Sequence, residues 1–142
     1  MSTDQNKEIF KRLIYAINSG DPTRLRDVVH GLVADDYVGH APGAPDIYGP
    51  DGYLEDESVF HSAFPDLQIE ILDLIAEDDR VVVHFVFRGT HEGELAGVPP
   101  TGRHMTVQAV SISRVKNGKI VEEYSFVDNL DLLRQLGVEI QP

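Results

Sequence analysis

The chain contains no cysteine, and this absence excludes disulfide scaffolds, thiol catalysis and cysteine-ligated metals. No apolar run approaches the roughly 18 residues that a membrane span requires. Residues 1–11 also lack the basic-then-apolar order of a signal peptide. We therefore expect a cytoplasmic protein without a membrane partner.

Positive charge is scarce. The chain has 12 Lys and Arg residues and 24 Asp and Glu residues, which gives a net charge of −12. So acidic a surface repels phosphate backbones and anionic lipids, and we expect no nucleic-acid partner. The six histidines show no His-x-x-x-His or His-x-His spacing, so we expect no metal site. A Gly-rich phosphate loop and a Gly-x-Ser-x-Gly elbow are also missing from the sequence.

The 142 residues, 42% of them hydrophobic, fit one domain spanning 1–142. Ser2 and Gln5 have the spacing of a capping box before an amphipathic helix that we expect to end at Gly20. Asp21 and Pro22 begin a second helix. A third helix begins at residues 49–52 and ends before Pro65, and a short extended segment, residues 35–41, precedes it.

The second half predicts four strands, at residues 67–76, 80–90, 104–115 and 120–127. The Asn117-Gly118 pair indicates a tight hairpin between the last two strands. In the second strand one face is wholly apolar, and we assign it to the core. The opposite face mixes Val with His84 and Arg88, which suits either a neighbouring subunit or solvent. This order of elements predicts an α+β fold whose sheet curls over the helices and leaves a central pocket.

Six stretches spread over nearly the whole chain then match a known pattern. They are 63–67 (Ala-Phe-Pro-Asp-Leu), 76–83, 89–93 (Gly-Thr-His-Glu-Gly), 97–102 (Gly-Val-Pro-Pro-Thr-Gly), 117–122 and 132–137 (Leu-Leu-Arg-Gln-Leu-Gly). Together they resemble the SnoaL-like polyketide cyclases, which are ester cyclases of the NTF2-like superfamily. The resemblance implies an NTF2-like cone, a curved antiparallel sheet wrapped around N-terminal helices. It also implies a hydrophobic small-molecule ligand, a homodimer or homotetramer, and no metal or cofactor.

The resemblance also locates the catalytic groups of the family's aldol cyclases, and this chain lacks them. The acid/base Asp falls on Ser125, a Gln on Ala109, a His on Ser111, and an Asn at the pocket entrance near Gly39. A serine hydroxyl without an adjacent base cannot shuttle a proton to and from carbon near neutral pH. The three replacements predict a roomier, less charged pocket wall formed by Ala109, Ser111 and Ser125.

Four other residues are candidates for chemistry or ligand contact. Glu123 shares its strand face with Ser125 and is either a displaced general base or a rim carboxylate in water. His91 either shuttles protons or fixes its own loop through hydrogen bonds. Asp128 either reaches the pocket or caps the last helix. His40, at the mouth, is either a ligand contact or a structural residue.

Aromatic side chains are candidates for the pocket wall, although aromatics at helical spacing usually form plain core. Those on the helices are Tyr15, Tyr53, Phe60 and Phe64, and those on the second strand are Phe85 and Phe87.

Three functions remain open from the sequence. The first is a polyketide-cyclase-type enzyme that binds a flat, apolar carbonyl compound and promotes its enolisation, with aldol cyclisation or isomerisation following. The second is another enzyme on the same cone, an epoxide hydrolase or a ketosteroid-type isomerase. An epoxide hydrolase of the limonene type requires an Asp-Arg-Asp set, and Arg88 and Arg114 are expected to point outward. The third is a binding module without chemistry.

Overall fold

The computed structural model describes residues 2–139, in which four α-helices and six β-strands are present. The helices are α1 (Thr3–Asn18), α2 (Pro22–Leu32), α3 (Gly49–Ala63) and α4 (Asn129–Gln135). The strands are β1 (Val33–His40), β2 (Ile47–Tyr48), β3 (Gln68–Glu77), β4 (Arg80–Thr90), β5 (His104–Lys116) and β6 (Lys119–Val127). None of the described helices is long and apolar enough to cross a membrane.

The helix ends follow the local sequence signals. The Ser2 and Gln5 side chains form the reciprocal capping box at the start of α1. Gly20 closes the turn after α1 with a φ of 68°, a left-handed conformation that glycine adopts without steric cost. Asp21 accepts hydrogen bonds from two backbone amides at the start of α2. These caps fix the elbow between the first two helices.

The strands form one sheet in the order β2-β1-β6-β5-β4-β3. The α+β cone is confirmed, with one departure from an entirely antiparallel sheet, because β1 pairs with β6 in parallel. This pairing joins the N-terminal third of the chain to its last strand, and it places Gly39 beside Glu123. The remaining neighbours are antiparallel.

Two features set the register of the long meander. Asn117 and Gly118 have φ angles of 52° and 77°, as expected for a hairpin turn with both central residues left-handed. Across β5 and β6, Ser111 pairs with Ser125 and Ser113 with Glu123. Paired residues share one face of a sheet, so all four of these side chains belong to the same inner face.

The core lies between this inner face and the helices. Val81 and Val83 of β4 are at most 1% exposed and pack with α1, α2 and β1. A second apolar cluster joins Phe64, Phe87 and Met105 beneath α4. Each such side chain contributes about 1.5–3 kcal/mol on full burial. Between the two clusters, the inner face leaves an open cavity.

Candidate active site

The cavity has a volume of about 190 Å³ and lies between α1, α3 and the inner face of the sheet. Its apolar wall includes Phe10, Leu13, Ile17, Phe60, Val83, Phe85 and Phe87. The rings of Phe60 and Phe87 meet edge to face, with centroids 5.9 Å apart. Such a wall suits a flat apolar molecule, because aromatic rings prefer offset-stacked or edge-on neighbours.

Glu123 is the buried carboxyl group of this cavity, with 8% of its surface exposed. The Tyr37 hydroxyl donates a hydrogen bond of 3.1 Å to Oε1 of Glu123. The Ser113 hydroxyl donates one of 2.7 Å to Oε2. Because both carboxylate oxygens accept from hydroxyl groups, this hydrogen-bond pattern favours the ionised form.

Burial works in the opposite direction and raises the pKa of Glu123 above its ordinary value. The hydrogen bonds from Ser113 and Tyr37 counteract part of this rise, and the negative charge of Asp56 adds to it. Burial also raises the pKa of Tyr37, so its hydroxyl remains protonated and continues to donate. The buried Glu123 carboxyl group is therefore held by two hydroxyl donors in an apolar surrounding.

Two more carboxyl groups line the cavity from α3. Burial, together with the negative charges of Asp56 and Glu123, raises the pKa of Glu57 to about 8. Burial also raises the pKa of Asp56. Beside them lies Tyr53, whose ring meets that of Tyr37 edge to face at 5.9 Å. One end of the cavity is therefore acidic and hydroxyl-rich, whereas its walls are apolar.

His40 lies at the cavity mouth, on the last residue of β1. Its Nδ1 is 3.0 Å from Asp46 Oδ1 and its Nε2 is 3.0 Å from Glu122 Oε2. The ring stacks on Tyr124 with centroids 4.5 Å apart. The hydrogen bonds to Glu122 and Asp46 raise the pKa of His40. With a carboxylate at each nitrogen, the ring holds the loop 41–46 against β6.

The structure places several predicted contact residues on the cavity wall. They are His40, Phe60, Phe85, Phe87, Ser111, Ser125 and Glu123. Ser111 and Ser125 face each other across β5 and β6 and give this part of the wall two short, uncharged side chains. Glu123 is not the water-exposed rim carboxylate of the alternative interpretation.

His91 does not line the cavity, so its position contradicts the expected catalytic role. The side chain is 0% exposed, and its Nδ1 lies 3.0 Å from Thr101 Oγ1. The Thr101 backbone amide also donates to Nδ1, over 3.2 Å. β4 ends at Thr90, so the strand alternation no longer directs the next side chain inward. His91 instead fixes the loop between β4 and β5.

Asp128 and Tyr15 also lie away from the cavity. The Asp128 side chain accepts a hydrogen bond of 3.1 Å from the Asp131 amide and caps α4. Tyr15 is 69% exposed on the outer side of α1, with Arg24 6.0 Å from its ring centroid. The helical stripe of α1 buries the neighbouring Leu13 and Ile17 instead. The structure therefore supports the helix-cap alternative for Asp128, and the predicted ligand contact of Tyr15 is wrong.

Phe64 and Ala109 belong to the second core cluster rather than to the cavity wall. Phe64 is fully buried at the end of α3, and its ring lies 5.6 Å from that of His91. Ala109 is 3% exposed and contributes a methyl group to the same cluster. Neither residue lines the cavity, so the predicted ligand contacts of Phe64 and Ala109 are wrong.

Sequence reasoning missed Tyr37, Asp56 and Glu57. Tyr37 lies 86 positions from the carboxylate it contacts, and only the parallel β1–β6 pairing brings the two together. Asp56 and Glu57 occur in a run of acidic residues on α3 that resembles a solvated helix face. A usable signal was the position of Glu57 three residues before Phe60, which places both on one helix face.

No Lys or Arg side chain is among the cavity-lining residues in the described part of the chain. Arg88 lies outside, with Nη2 3.3 Å from Glu70 Oε2, and Arg114 lies outside beside Asp79 and Glu122. The arginine that an epoxide hydrolase of the limonene type requires is therefore not in this cavity. Within residues 2–139, no three His, Asp or Glu side chains are grouped to hold a metal ion.

The chain is similar to known cyclases along most of its length. It is 26% identical over 135 residues to the aklanonic acid methyl ester cyclase DnrD of Streptomyces peucetius, covering 92% of this chain and 89% of that protein. It is 27% identical over 127 residues to the nogalonic acid methyl ester cyclase of Streptomyces nogalater, covering 88% and 92% respectively.

A solved structure has the same arrangement of elements. IdmH of Streptomyces antibioticus superposes with a TM-score of 0.77 at 37% identity, covering 94% of this chain and 99% of that one. Residues 7–136 match the family described as SnoaL-like polyketide cyclase. The match spans nearly all of the cone, including β1, α3 and β6, which carry the acidic end of the cavity. This chain therefore belongs to the SnoaL-like polyketide cyclase family.

Proposed function

We propose that this protein is a cofactor-independent enzyme that binds a flat, apolar, carbonyl-bearing molecule and promotes its enolisation. Aldol ring closure or isomerisation follows. The observation that carries this proposal is Glu123, a buried carboxyl that faces an aromatic cavity and accepts hydrogen bonds from Tyr37 and Ser113. A carboxylate can act as the general base when the carbon-bound proton lies within its reach.

The proposed reaction conserves all atoms of the substrate. Glu123 takes a proton from the carbon next to a carbonyl group, and the electron pair of the broken C–H bond forms an enol or enolate. That carbon attacks a second carbonyl carbon in the same molecule and closes the ring. Glu123 then returns its proton to the oxygen of the attacked carbonyl. The cavity holds both reacting carbons together, which supplies much of the rate.

Glu123 occupies a different position from the acid/base group that the resemblance implies. That group corresponds to Ser125, two residues further along β6 on the same face. Two residues of strand span roughly 6–7 Å. We therefore propose that the substrate carbonyl lies shifted along β6, toward Tyr37 and α3, with Ser111 and Ser125 as uncharged contacts.

The names of the relatives suggest the substrate class. DnrD and the nogalater enzyme are named for methyl esters of aklanonic and nogalonic acid. Their similarity and the aromatic wall support an aromatic polyketide ester as the ligand of this cavity. The absence of Lys and Arg from the described lining fits an ester better than a free acid.

A binding module without chemistry is the second candidate. Ser111 and Ser125 favour it, because both stand where the resemblance implies groups that take part in proton transfer. Such a protein would use the same cavity to hold an apolar ligand without turning it over.

We further propose a cytoplasmic homodimer or homotetramer. Across the outer sheet face, Ile75 pairs with Val82, Val82 with Ile112, and Ile112 with Tyr124. Three of these apolar side chains are exposed, Ile75 at 59%, Ile112 at 37% and Tyr124 at 44%. A continuous apolar row on one sheet face supports contact with a second copy.

The proposed activity is tested by an assay for aldol ring closure of an anthraquinone that carries a β-keto methyl ester side chain. Native protein, Glu123→Gln and Ser125→Asp are compared, with heat-inactivated protein and Glu70→Gln, an exposed carboxylate on β3, as controls. We expect closure by the native protein and Glu70→Gln but not by Glu123→Gln. Closure by Ser125→Asp alone would support the binding-module candidate. Equal closure by native protein and Glu123→Gln would contradict the role of Glu123.

A further inference from the structure

Glu57 is a second carboxyl group in the cavity, and it differs from Glu123 in its surroundings. It projects from α3, on the side of the cavity formed by the helices, whereas Glu123 projects from the sheet. Its side chain is 19% exposed. The two carboxyl groups therefore border the same space from different elements of the fold.

The hydrogen bonds of the two groups are opposite in character. Both oxygens of Glu123 accept from hydroxyl donors. The Glu57 carboxyl has no hydrogen-bond donor within residues 2–139, and the His61 ring lies beside it, with Nδ1 3.9 Å from Oε2. The His61 nitrogens instead lie near the backbone oxygens of Glu57 and Ile17, at 3.2 and 3.4 Å. No described hydrogen bond stabilises an ionised Glu57.

The charges around Glu57 act in the same direction. Asp56 and His61 are its titratable neighbours on α3, Glu123 faces it from β6, and Tyr37 and Tyr53 complete the acidic end. Two of these neighbours are carboxylates, and their repulsion together with burial explains why the pKa of Glu57 rises to about 8. Two nearby carboxyl groups held in contrasting environments commonly divide into an acid and a base.

We infer that Glu57 is a further catalytic residue, the general acid that binds the ligand's carbonyl oxygen and protonates it while Glu123 removes the proton from carbon. This inference rests on the proposed function. In the first step the C–H bond breaks, its proton goes to Glu123, and the Glu57 proton goes to the carbonyl oxygen, giving a neutral enol. On ring closure the enol O–H proton returns to Glu57, and Glu123 protonates the oxygen of the attacked carbonyl.

A binding measurement tests the contact without requiring turnover. The probes are 2-acetylnaphthalene and 2-ethylnaphthalene, which differ in the carbonyl group, and their Kd values are measured from pH 6 to 9.5. In the native protein we expect the affinity for the ketone to fall roughly fivefold to tenfold with rising pH, because Glu57 ionises and loses its O–H donor. The affinity for 2-ethylnaphthalene should not change. Ketone affinity that does not change with pH would overturn the inference.

Three variants assign the effect to one side chain. Glu57→Gln keeps an N–H donor, so its ketone affinity is expected to stay constant over the whole pH range. Glu57→Leu has no donor, so its ketone affinity is expected to be weak and to stay constant over the whole pH range. Glu55→Gln, an exposed neighbour on α3, is the matched control and should behave like the native protein. A native-like loss of ketone affinity in Glu57→Gln would contradict the inference.

The catalytic part is tested by the pH dependence of turnover. The native protein is expected to lose activity as pH rises through about 8, the pKa of Glu57. In Glu57→Gln we expect kcat to fall about 10²–10⁴-fold and the remaining activity to no longer decrease at alkaline pH. The Kd for the ketone should be preserved. An unchanged kcat would overturn the role of Glu57 as acid. If the native protein turned over no substrate, the proposed function and the acid role would both be overturned. The binding experiment alone would still decide the carbonyl contact.

Discussion

The Tyr37 hydroxyl donates to Glu123 Oε1 over 3.1 Å, across the parallel pairing of β1 and β6. This contact explains why residue 39 is glycine. A Cβ atom on Gly39 would lie 2.7 Å from the Tyr37 hydroxyl oxygen and 2.7 Å from Ile47 Cγ1. The resemblance implies an entrance Asn near residue 39, but a side chain there would collide with the Tyr37 hydroxyl that donates to Glu123.

Tyr37→Phe removes this donor and leaves the buried Glu123 carboxylate with Ser113 alone. We expect the free energy of unfolding to fall by about 1–3 kcal/mol, the range for a buried polar group left without its hydrogen-bond partner. Urea unfolding measures it. Tyr15→Phe is the matched control, since the 69% exposed Tyr15 should change stability by less than about 0.5 kcal/mol. Equal effects of the two substitutions would show that the Tyr37 hydroxyl contributes nothing.

Glu57→Gln is expected to stabilise the protein at alkaline pH. The pKa of Glu57 is about 8 in the folded chain against an ordinary 4.5, so the folded state binds the proton more tightly than the unfolded state. Its contribution to stability is complete below pH 4.5 and is lost as pH rises through 8. At pH 9 we expect the variant to gain roughly 1–3 kcal/mol over native protein, since one pKa unit corresponds to about 1.4 kcal/mol. Urea unfolding at pH 5 and pH 9 measures the free energy of unfolding of native protein, Glu57→Gln and the control Glu55→Gln. The prediction is contradicted if Glu57→Gln is no more stable relative to native protein at pH 9 than at pH 5.

Asp46→Asn is expected to lower the pKa of His40, because it removes one of the two carboxylates that stabilise the imidazolium. Glu122→Gln should lower it more, since the hydrogen bond to Glu122 is the larger cause. The folded pKa lies above the ordinary 6.5, so this stabilisation is present below pH 6.5 and is lost as pH rises through the folded value.

Proton NMR titration of the histidine rings measures this change. His84 provides an internal control, because its pKa is raised by Asp73 and Gln108 on the outer face of the sheet. Its titration should be the same in native protein and in Asp46→Asn. Unchanged titration of His40 itself would mean that the loop 41–46 is not held by this ring.

Ile112→Glu is expected to dissociate the proposed oligomer, because it places a charge in the middle of the exposed apolar row. Light scattering coupled to size exclusion measures the mass. Val59→Glu, at a 49% exposed site on α3, is the matched control and should leave the mass unchanged. A native protein of monomer mass at all concentrations would disprove the oligomer.

Local patterns were sufficient for most of the fold. Alternation located β4 and β5 almost to the residue, and Asn117-Gly118 identified the hairpin between β5 and β6. These signals are reliable because they depend only on neighbours in sequence. The strand face of Glu123 followed from its spacing to Ser125. The small β2 strand was not predicted, because two residues carry no periodicity.

The rest of the site depends on contacts between distant segments. Nothing near Tyr37 indicates that β1 will pair with β6, and nothing near Glu57 distinguishes it from the exposed Glu55. His91 shows the opposite error, since alternation was extended one residue beyond the end of β4. Alternation predicts which way a side chain points only as far as the strand continues. An acidic residue on a helix can be assigned to a cavity only when the element that packs against that helix is known.

Proton exchange at carbon tests the role of Glu123 as the base most directly. The methyl protons of 2-acetylnaphthalene are followed by NMR in D2O at neutral pH, with native protein, Glu123→Gln and Glu70→Gln. We expect native protein and Glu70→Gln to accelerate exchange at least about 100-fold over buffer. Glu123→Gln is expected to bind the ketone but to leave exchange at the buffer rate. Exchange by Glu123→Gln as fast as by native protein would show that Glu123 is not the base.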